Sequence, residues 1–321
     1  MGSILVFVAK RLLLLVPILL GASMVVFLLV HLAPGDEATS LLGPLATPRA
    51  RDELRHHLGL DQPLPVQYGV WLWNTLHLDF GNSIGKHQPV TDLVWQALRN
   101  TLILAAASSL FAIAVGFALG TVAAVRQFSR TDRLAMGGAV LLAAIPSYWF
   151  GIVLVVLFSL ELHMFPSGGM QNVVEDGGLP DLLWHLVLPV IAAGAVPAGI
   201  IARTVRSSLL EISRQDFVLA LRASGMPEGT ILRRHVLRNA MPPIVNMIGL
   251  QVGYLLSGVI FVEVVFSWPG IGRLVFEAIG QRDLPVILGA VMLVSVTFVL
   301  INLTVDLLHL VLDPRLRRET A

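Results

Sequence analysis

Residues Arg203 to Pro243 read RTVRSSLLEISRQDFVLALRASGMPEGTILRRHVLRNAMPP, and the rest of the 321-residue chain is read from this stretch. It lies between two long apolar runs and gathers Arg203, Arg206, Arg214, Arg222, Arg233, Arg234 and Arg238 against only Glu211, Asp216 and Glu228. An excess of arginine between membrane spans marks the cytoplasmic side. Its internal pattern is helix, break, helix. Asp216 is placed to cap a short helix carrying Phe217, Ala220 and Leu221 on one face, and Gly225 supplies a stop where positive φ is easiest. Pro227 suits the first turn of a second helix, on which Ile231, His235 and Arg238 share a face. That helix should end before Pro242 and Pro243. Helices folded into the longest basic loop of a membrane protein predict a docking surface.

Working outward, composition agrees with a membrane location. The chain is 55% hydrophobic and only 13% charged, against about a quarter charged in soluble proteins. It has no cysteine, which excludes disulfides and thiolate chemistry. Leu12 to Val30 follows Lys10 and Arg11 without a charge, long enough to span a bilayer and too long for the apolar region of a signal peptide. Further spans are expected at Thr101–Val125, Leu134–Leu160, Leu182–Ala202, Met241–Val262 and Leu284–Leu312. The fourth is the least obvious, because it holds His185, Pro189 and Pro197. Fifteen of the 22 Lys and Arg residues then fall on the side of the Arg203–Pro243 loop and seven on the other, which puts both termini in the cytoplasm. The expected fold class is all-α, a polytopic protein with six transmembrane helices. Its parts are an N-terminal helix with an external insertion (1–93), a five-helix core holding the 203–243 loop (94–312), and a cytoplasmic tail (313–321).

Smaller motifs refine this outline. In the insertion, Thr47-Pro48 reads as a helix start and Gly59 as its end, and a second helix after Pro65 carries Tyr68, Trp71 and Trp73. These aromatics suit an interfacial position or a small packed core equally well. GNSIGKH at Gly81–His87 is not a phosphate loop. Its glycines are one residue too close, His87 replaces the Mg²⁺-holding Ser or Thr, and no strand precedes it. Gly116 and Gly120, four apart, allow close helix approach, and Gly249 and Gly253 in the fifth span are also four apart. VEVVFSWPGIGRL, Val262 to Leu274, predicts a tight turn and a short helix. Gln251, Tyr254 and Ser257 lie in the fifth span, where polar groups line a pathway or bond between helices. Asp306 belongs near the inner interface or faces the bundle beside Asn302. No HExxH, GxSxG, cysteine nucleophile or paired membrane carboxylate is present, so no enzyme is expected.

DFVLALRASG followed by RRHVLRNAMPP resembles the EAA loop of ABC importer permeases, in its dipeptide and oligopeptide branch. HLAPGD at 31–36, the SWPG segment and the terminal DPR extend the resemblance over nearly the whole chain. The EAA triplet falls on Leu219, Ala220 and Leu221, its glycine on Gly225 and the distal apolar position on Leu237. Leu221 and Ser224 depart from the usual small residue and lysine. The resemblance implies a type I ABC importer permease fold and an ATPase-docking set of Ala220, Leu221, Arg222, Ala223, Gly225, His235, Leu237, Arg238 and Asn239. Implied partners are a second, similar permease chain, two cytoplasmic ABC ATPases, an external solute-binding protein and the lipid bilayer, with no nucleic acid. ATP and Mg²⁺ would sit on the ATPases, and no cofactor on this chain. Di- or oligopeptides are the implied cargo, although the same branch carries nickel complexes and glutathione. A carrier driven by an ion gradient is the rival reading, but it would need a mid-membrane ion site and internal repeats, neither of which is found.

Overall fold

The computed structural model describes residues 13–14, 16–28, 47–57, 59–172 and 177–312. Lys10, Arg11, HLAPGD, Glu175, Asp176, the terminal DPR and the side chains of Asp306 and His309 lie outside the described residues. Among the described residues the chain is helical, with one isolated antiparallel bridge between Asn82 and Pro89. Among the described residues four helices are long and apolar enough to cross a membrane, a bent pair adds a fifth if it is one span, and a shorter apolar helix, α1 (Val16–Leu28), lies within the first expected span.

The chain divides into two compact units, Met1–Asn100 with Pro269–Ile301, and Thr101–Trp268 with Asn302–Ala321. The first unit contains α1, α2 (Pro48–His57), α3 (Leu64–Leu76) and the start of α4 (Val90–Val125). Helix α2 begins with Thr47 Oγ1 accepting from Ala50 N at 3.3 Å. It ends as expected at Gly59, whose φ is +68° and whose amide bonds His56 O while Leu60 N reaches back to Arg55 O. That paired closure needs a left-handed residue at the glycine position. On α3 the aromatic residues part company. Tyr68 and Trp71 pack on Phe27, with ring centroids 5.4 and 5.7 Å away, and Ser23 Oγ meets Tyr68 Oη at 2.7 Å. Trp73 is 65% exposed.

The unit also includes α10 (Ile271–Gln281) and most of α11 (Leu284–Leu312). Val90, Val94 and Leu98 of α4 form a core with Ile271, Leu274, Ala278 and Val286. GNSIGKH wraps Asp283, a fully buried acid between α10 and α11. Its carboxylate accepts from Ser83 Oγ and Gly85 N, and its other oxygen caps Val286 N at 3.4 Å. Lys86 pairs with Glu277 at 3.4 Å, and Arg273 reaches the same carboxylate at 2.8 Å. The segment clamps a helix junction.

In the second unit the rest of α4 continues into α5 (Arg130–Ala144), α6 (Ser147–Leu154, extended by a π-helical turn to Glu161), α7 (Gly178–Ser213), α8 (Asp216–Ala223) and α9 (Glu228–Val265). Helix α7 contains the span that is least obvious in sequence, yet 72% of its apolar stretch is buried, against 28–33% in the other three long helices. A helix covered by protein rather than lipid can tolerate prolines and polar groups, because neighbours shield the freed carbonyls. Gly116 and Gly120 let α4 meet α7 so closely that a Cβ on Gly120 would lie 2.5 Å from Ala202 O and 2.7 Å from Val205 Cβ. Gly199 gives α5 the same access, with Ala139 O 2.4 Å from its Cβ position.

Three expectations are corrected. The third span is not one rod. Pro146 forces Ile145 into an extended conformation (ψ 128°), and α5 and α6 meet at 107°. The fourth span does not stop at Ala202, since α7 carries Arg203–Ser213 without a break. Pro242 and Pro243 do not end a loop helix either, because α9 runs through both. The carbonyls they leave unbonded belong to Arg238 and Asn239, both exposed and open to solvent. The turn after α9 forms as predicted. Phe266 and Trp268 are fully buried, Trp268 N bonds Glu263 O, and Gly169 N bonds Phe266 O at 2.8 Å.

Gly120→Leu should lower the stability of the detergent-solubilised protein by about 3 kcal/mol or more, because the approach leaves no room for a side chain; a thermal melt followed by tryptophan fluorescence reads the effect. Glu277 gives a pH signature. Burial raises its carboxyl, but the bond from Arg273 and the nearby Lys86 charge outweigh that and hold it below the ordinary value of 4.5. A lowered folded-state value means stabilisation present above 4.5 and lost as pH falls through the lowered value. Glu277→Gln should flatten this acid-side loss in melts recorded from pH 6 down to about pH 3.

Candidate functional site

The Arg203–Pro243 loop is built on a buried apolar seam. Val205 and Leu209 of α7, Val218 of α8, and Ile231, Val236, Ala240 and Ile244 of α9 form one core, with Ile212, Leu221, Met226, Leu232 and Leu237 packed against it. Helix α8 therefore turns Val218 and Leu221 inward. Its other side presents Phe217 and Leu219, 37% and 55% exposed, together with exposed Ala220 and Ala223. Asp216 does not cap this helix. Gln215 occupies the capping position without a side-chain bond, and Asp216 stands at the first helical position, where its charge favours the positive helix end.

The helix stops as the sequence predicts. Gly225 has φ +79°, its amide bonds Arg222 O at 3.0 Å, and Met226 N bonds Leu221 O at 3.2 Å. Met226 and Leu221 both pack on the core, the apolar contact that accompanies this closure. A Cβ on Gly225 would meet nothing within 4 Å, so glycine is needed there for its backbone and not for space. Arg222 spans the turn to Glu228 with bonds of 2.7 and 3.3 Å. Both groups are well exposed, so the pair contributes little to stability.

Ile231, His235 and Arg238 do not share a face. The six residues Ile231–Val236 are π-helical, and the wider turn shifts the register, burying Ile231, half-burying His235 and exposing Arg238. Asn239 Nδ2 donates to His235 O at 2.8 Å. Of the nine predicted docking residues, Ala220, Arg222, Ala223, Gly225, Arg238 and Asn239 are exposed and His235 half so, whereas Leu221 and Leu237 face the core. Leu221 follows Val218 by three positions and shares its inward side.

An unforeseen interaction ties the loop to the α4–α5 turn. Arg206 holds Asp132 through two bonds, Nε to Oδ1 at 2.6 Å and the terminal nitrogen to Oδ2 at 2.8 Å, and Asp132 Oδ2 also accepts from Phe128 N. Asp132 is 3% exposed. Its signal in the sequence was a single acid in a turn with three arginines, too common a pattern to name the partner.

The polar residues of the fifth span separate. Gln251 is buried, with Nε2 3.6 Å from Met247 Sδ, while Tyr254 (72% exposed) and Ser257 lie outward with Leu250 and Phe261. Tyr148 of α6 meets Phe261 with a centroid distance of 6.3 Å.

Residues 116–318 match the family described as binding-protein-dependent transport system inner membrane component, and residues 4–105 match its N-terminal component. The chain belongs to this permease family. Among curated relatives, the permease is 39% identical to the dipeptide transport system permease protein DppB of Alkalihalophilus pseudofirmus, over 98% of this chain and 99% of that one. It is 37% identical to DppB of Escherichia coli K12, with the same coverage. It is 40% identical to the glutathione transport system permease protein GsiC of Salmonella paratyphi A, over 97% and 98%. Among solved structures, the permease superposes on a chain of the inward-facing MetNI methionine ABC transporter with a TM-score of 0.55 and 20% identity, covering 69% of this chain and 96% of that one. The fold is thus that of an ABC importer permease. The permease is a transport subunit and not an enzyme.

Asp132→Asn should lower the melting stability of the permease by roughly 1–3 kcal/mol, since it leaves Arg206 with a half-satisfied partner. The same melt on Glu228→Gln, which breaks the exposed pair with Arg222, should be nearly unchanged.

Proposed function

We propose that this chain is one of two permease subunits of an ATP-driven importer of short peptides, and that α8 is the element through which ATP hydrolysis acts on it. The observation that carries the reading is the apolar ridge Phe217, Leu219, Ala220 and Ala223, exposed on a short helix inside the most basic loop. A ridge of this kind on a polar face favours burial against a protein partner. Arg222, Arg238 and Asn239 supply polar contacts beside it, with His235 partly accessible. Leu221 and Leu237 act from behind, fixing the helix on its core.

In this reading two ATPase chains hold ATP and Mg²⁺ in the cytoplasm, where both termini and the 203–243 loop lie by the arginine and lysine distribution. An outer binding protein delivers cargo to the opposite side, and the second permease is a different, similar chain. Closure of the ATPase pair favours one conformation of the permeases over the other by binding it more tightly. The exposed stripe of Tyr254, Ser257 and Phe261 faces the pathway between the two permeases, and buried Gln251 braces it. Peptide cargo is supported by relatives named for dipeptides and for glutathione, itself a small peptide.

The assembly purified from its own membrane and reconstituted with its binding protein tests this reading. Ala220→Asp and Gly225→Asp should each abolish ATP-dependent uptake of labelled dipeptides while leaving membrane insertion intact, and Ala220→Asp should also leave the melting temperature of the free permease nearly unchanged, whereas Gly225→Asp lowers it through backbone strain. Normal uptake by both variants, or uptake that survives ATP removal but collapses with an uncoupler, would sink the proposal.

A further inference from the structure

Helices α1, α3 and α11 of the first unit enclose a cavity of about 350 Å³, within the range of roughly 300–1,000 Å³ typical of small-molecule sites. Its walls include Leu20 and Ser23 of α1, Leu72 and Thr75 of α3, and Met292 and Val296 of α11. The lining is almost wholly apolar. Two hydroxyls interrupt it, and they differ. Ser23 Oγ is engaged, bonding Leu20 O at 2.8 Å and meeting Tyr68 Oη. Thr75 is 8% exposed and its Oγ1 has no hydrogen-bond partner among the described residues. A helical threonine ordinarily returns its hydroxyl to a carbonyl one turn back, so a buried hydroxyl left unmade represents a desolvation penalty that a ligand acceptor would relieve.

The position of the cavity indicates the ligand. Helix α11 is one of the helices long and apolar enough to cross a membrane, and it carries Phe298 and Leu300 exposed. Helix α3 carries Val66, Val70 and Trp73 outward at spacings of four and three, a stripe that suits the boundary between headgroups and hydrocarbon. The cavity thus lies between a helix able to cross a membrane and a helix whose outward stripe suits the depth where phospholipid ester groups meet their chains.

We propose that this cavity takes one acyl chain of a bilayer phospholipid, with an ester carbonyl accepting a hydrogen bond from Thr75 Oγ1. The apolar walls hold the methylenes, and the single free donor fixes their depth.

The test uses the full assembly in vesicles of phosphatidylethanolamine and phosphatidylglycerol, doped with phosphatidylethanolamine carrying a diazirine on one acyl chain. After illumination, adducts are mapped by peptide mass spectrometry. Labelling at residues 72–78 and 292–296 should exceed that at exposed Leu110 of α4 and Leu141 of α5 and should persist when unlabelled lipid is added in excess before illumination. Thr75→Val, which keeps the shape and removes the donor, should reduce the retained label about five-fold. Val296→Phe, which fills the cavity, should remove it while leaving the label on Leu110 and Leu141 intact. Equal labelling of cavity and controls, a cavity label unmoved by both variants, or a cross-link from the cavity to another protein chain in place of lipid would overturn the proposal.

Discussion

Close backbone contact along α7 is the constraint on which the second unit depends. Hydrocarbon gives helices little reason to associate by hydrophobicity alone, so van der Waals packing has to do it. Gly116 and Gly120 on one neighbour, and Gly199 facing another, remove the side chains that would hold the axes apart. The result is a helix sheathed by protein, able to contain Pro189, Pro197 and a buried His185 that would be expensive against lipid. Its far end then projects beyond the apolar region as Arg203–Ser213, and the seam with Val218 and Ile231 is laid on that projection.

Much of this was legible because it rests on local chemistry. Gly225 and Gly59 announced helix stops that only a residue tolerant of positive φ provides, and both stops are present. The Gly116–Gly120 spacing announced a contact without naming the partner. What stayed hidden was non-local or cooperative. Whether Leu221 faces outward depends on where α8 meets the core, which no spacing within eight residues fixes. The π-helical turn at Ile231–Val236 defeats any reading based on 3.6 residues per turn, and it undid the alignment of Ile231, His235 and Arg238. Pro242 and Pro243 looked like terminators because the exposure of Arg238 and Asn239, which allows their carbonyls to meet water, is a tertiary fact.

The Asp132–Arg206 pair and the Asp283 clamp are two uses of a buried carboxylate at a helix junction. Asp132 receives a guanidinium and an amide, so its charge is met by a countercharge brought from 74 residues away. Asp283 receives a hydroxyl and one amide from a glycine-containing loop and accepts from Val286 N at the start of α11. The first ties the α4–α5 turn to the base of the candidate docking loop. The second gives the GNSIGKH segment a structural purpose in place of the phosphate binding that its lysine and glycines superficially suggest.

Helix α9 has a further geometric consequence. Its 38 residues, at 1.5 Å each, extend about 57 Å, roughly twice the thickness of a bilayer's hydrocarbon core of about 30 Å. Nearly half of such a rod stands outside the hydrocarbon, joined through a single tight turn to the exposed ridge of α8. Treated as a stiff arm pivoting at its far end, a tilt of only about 5° sweeps the near end through about 5 Å, the rise of one helical turn. Angular adjustments too slight to disturb the packing at one end of this helix are therefore displacements of atomic-contact size at the other.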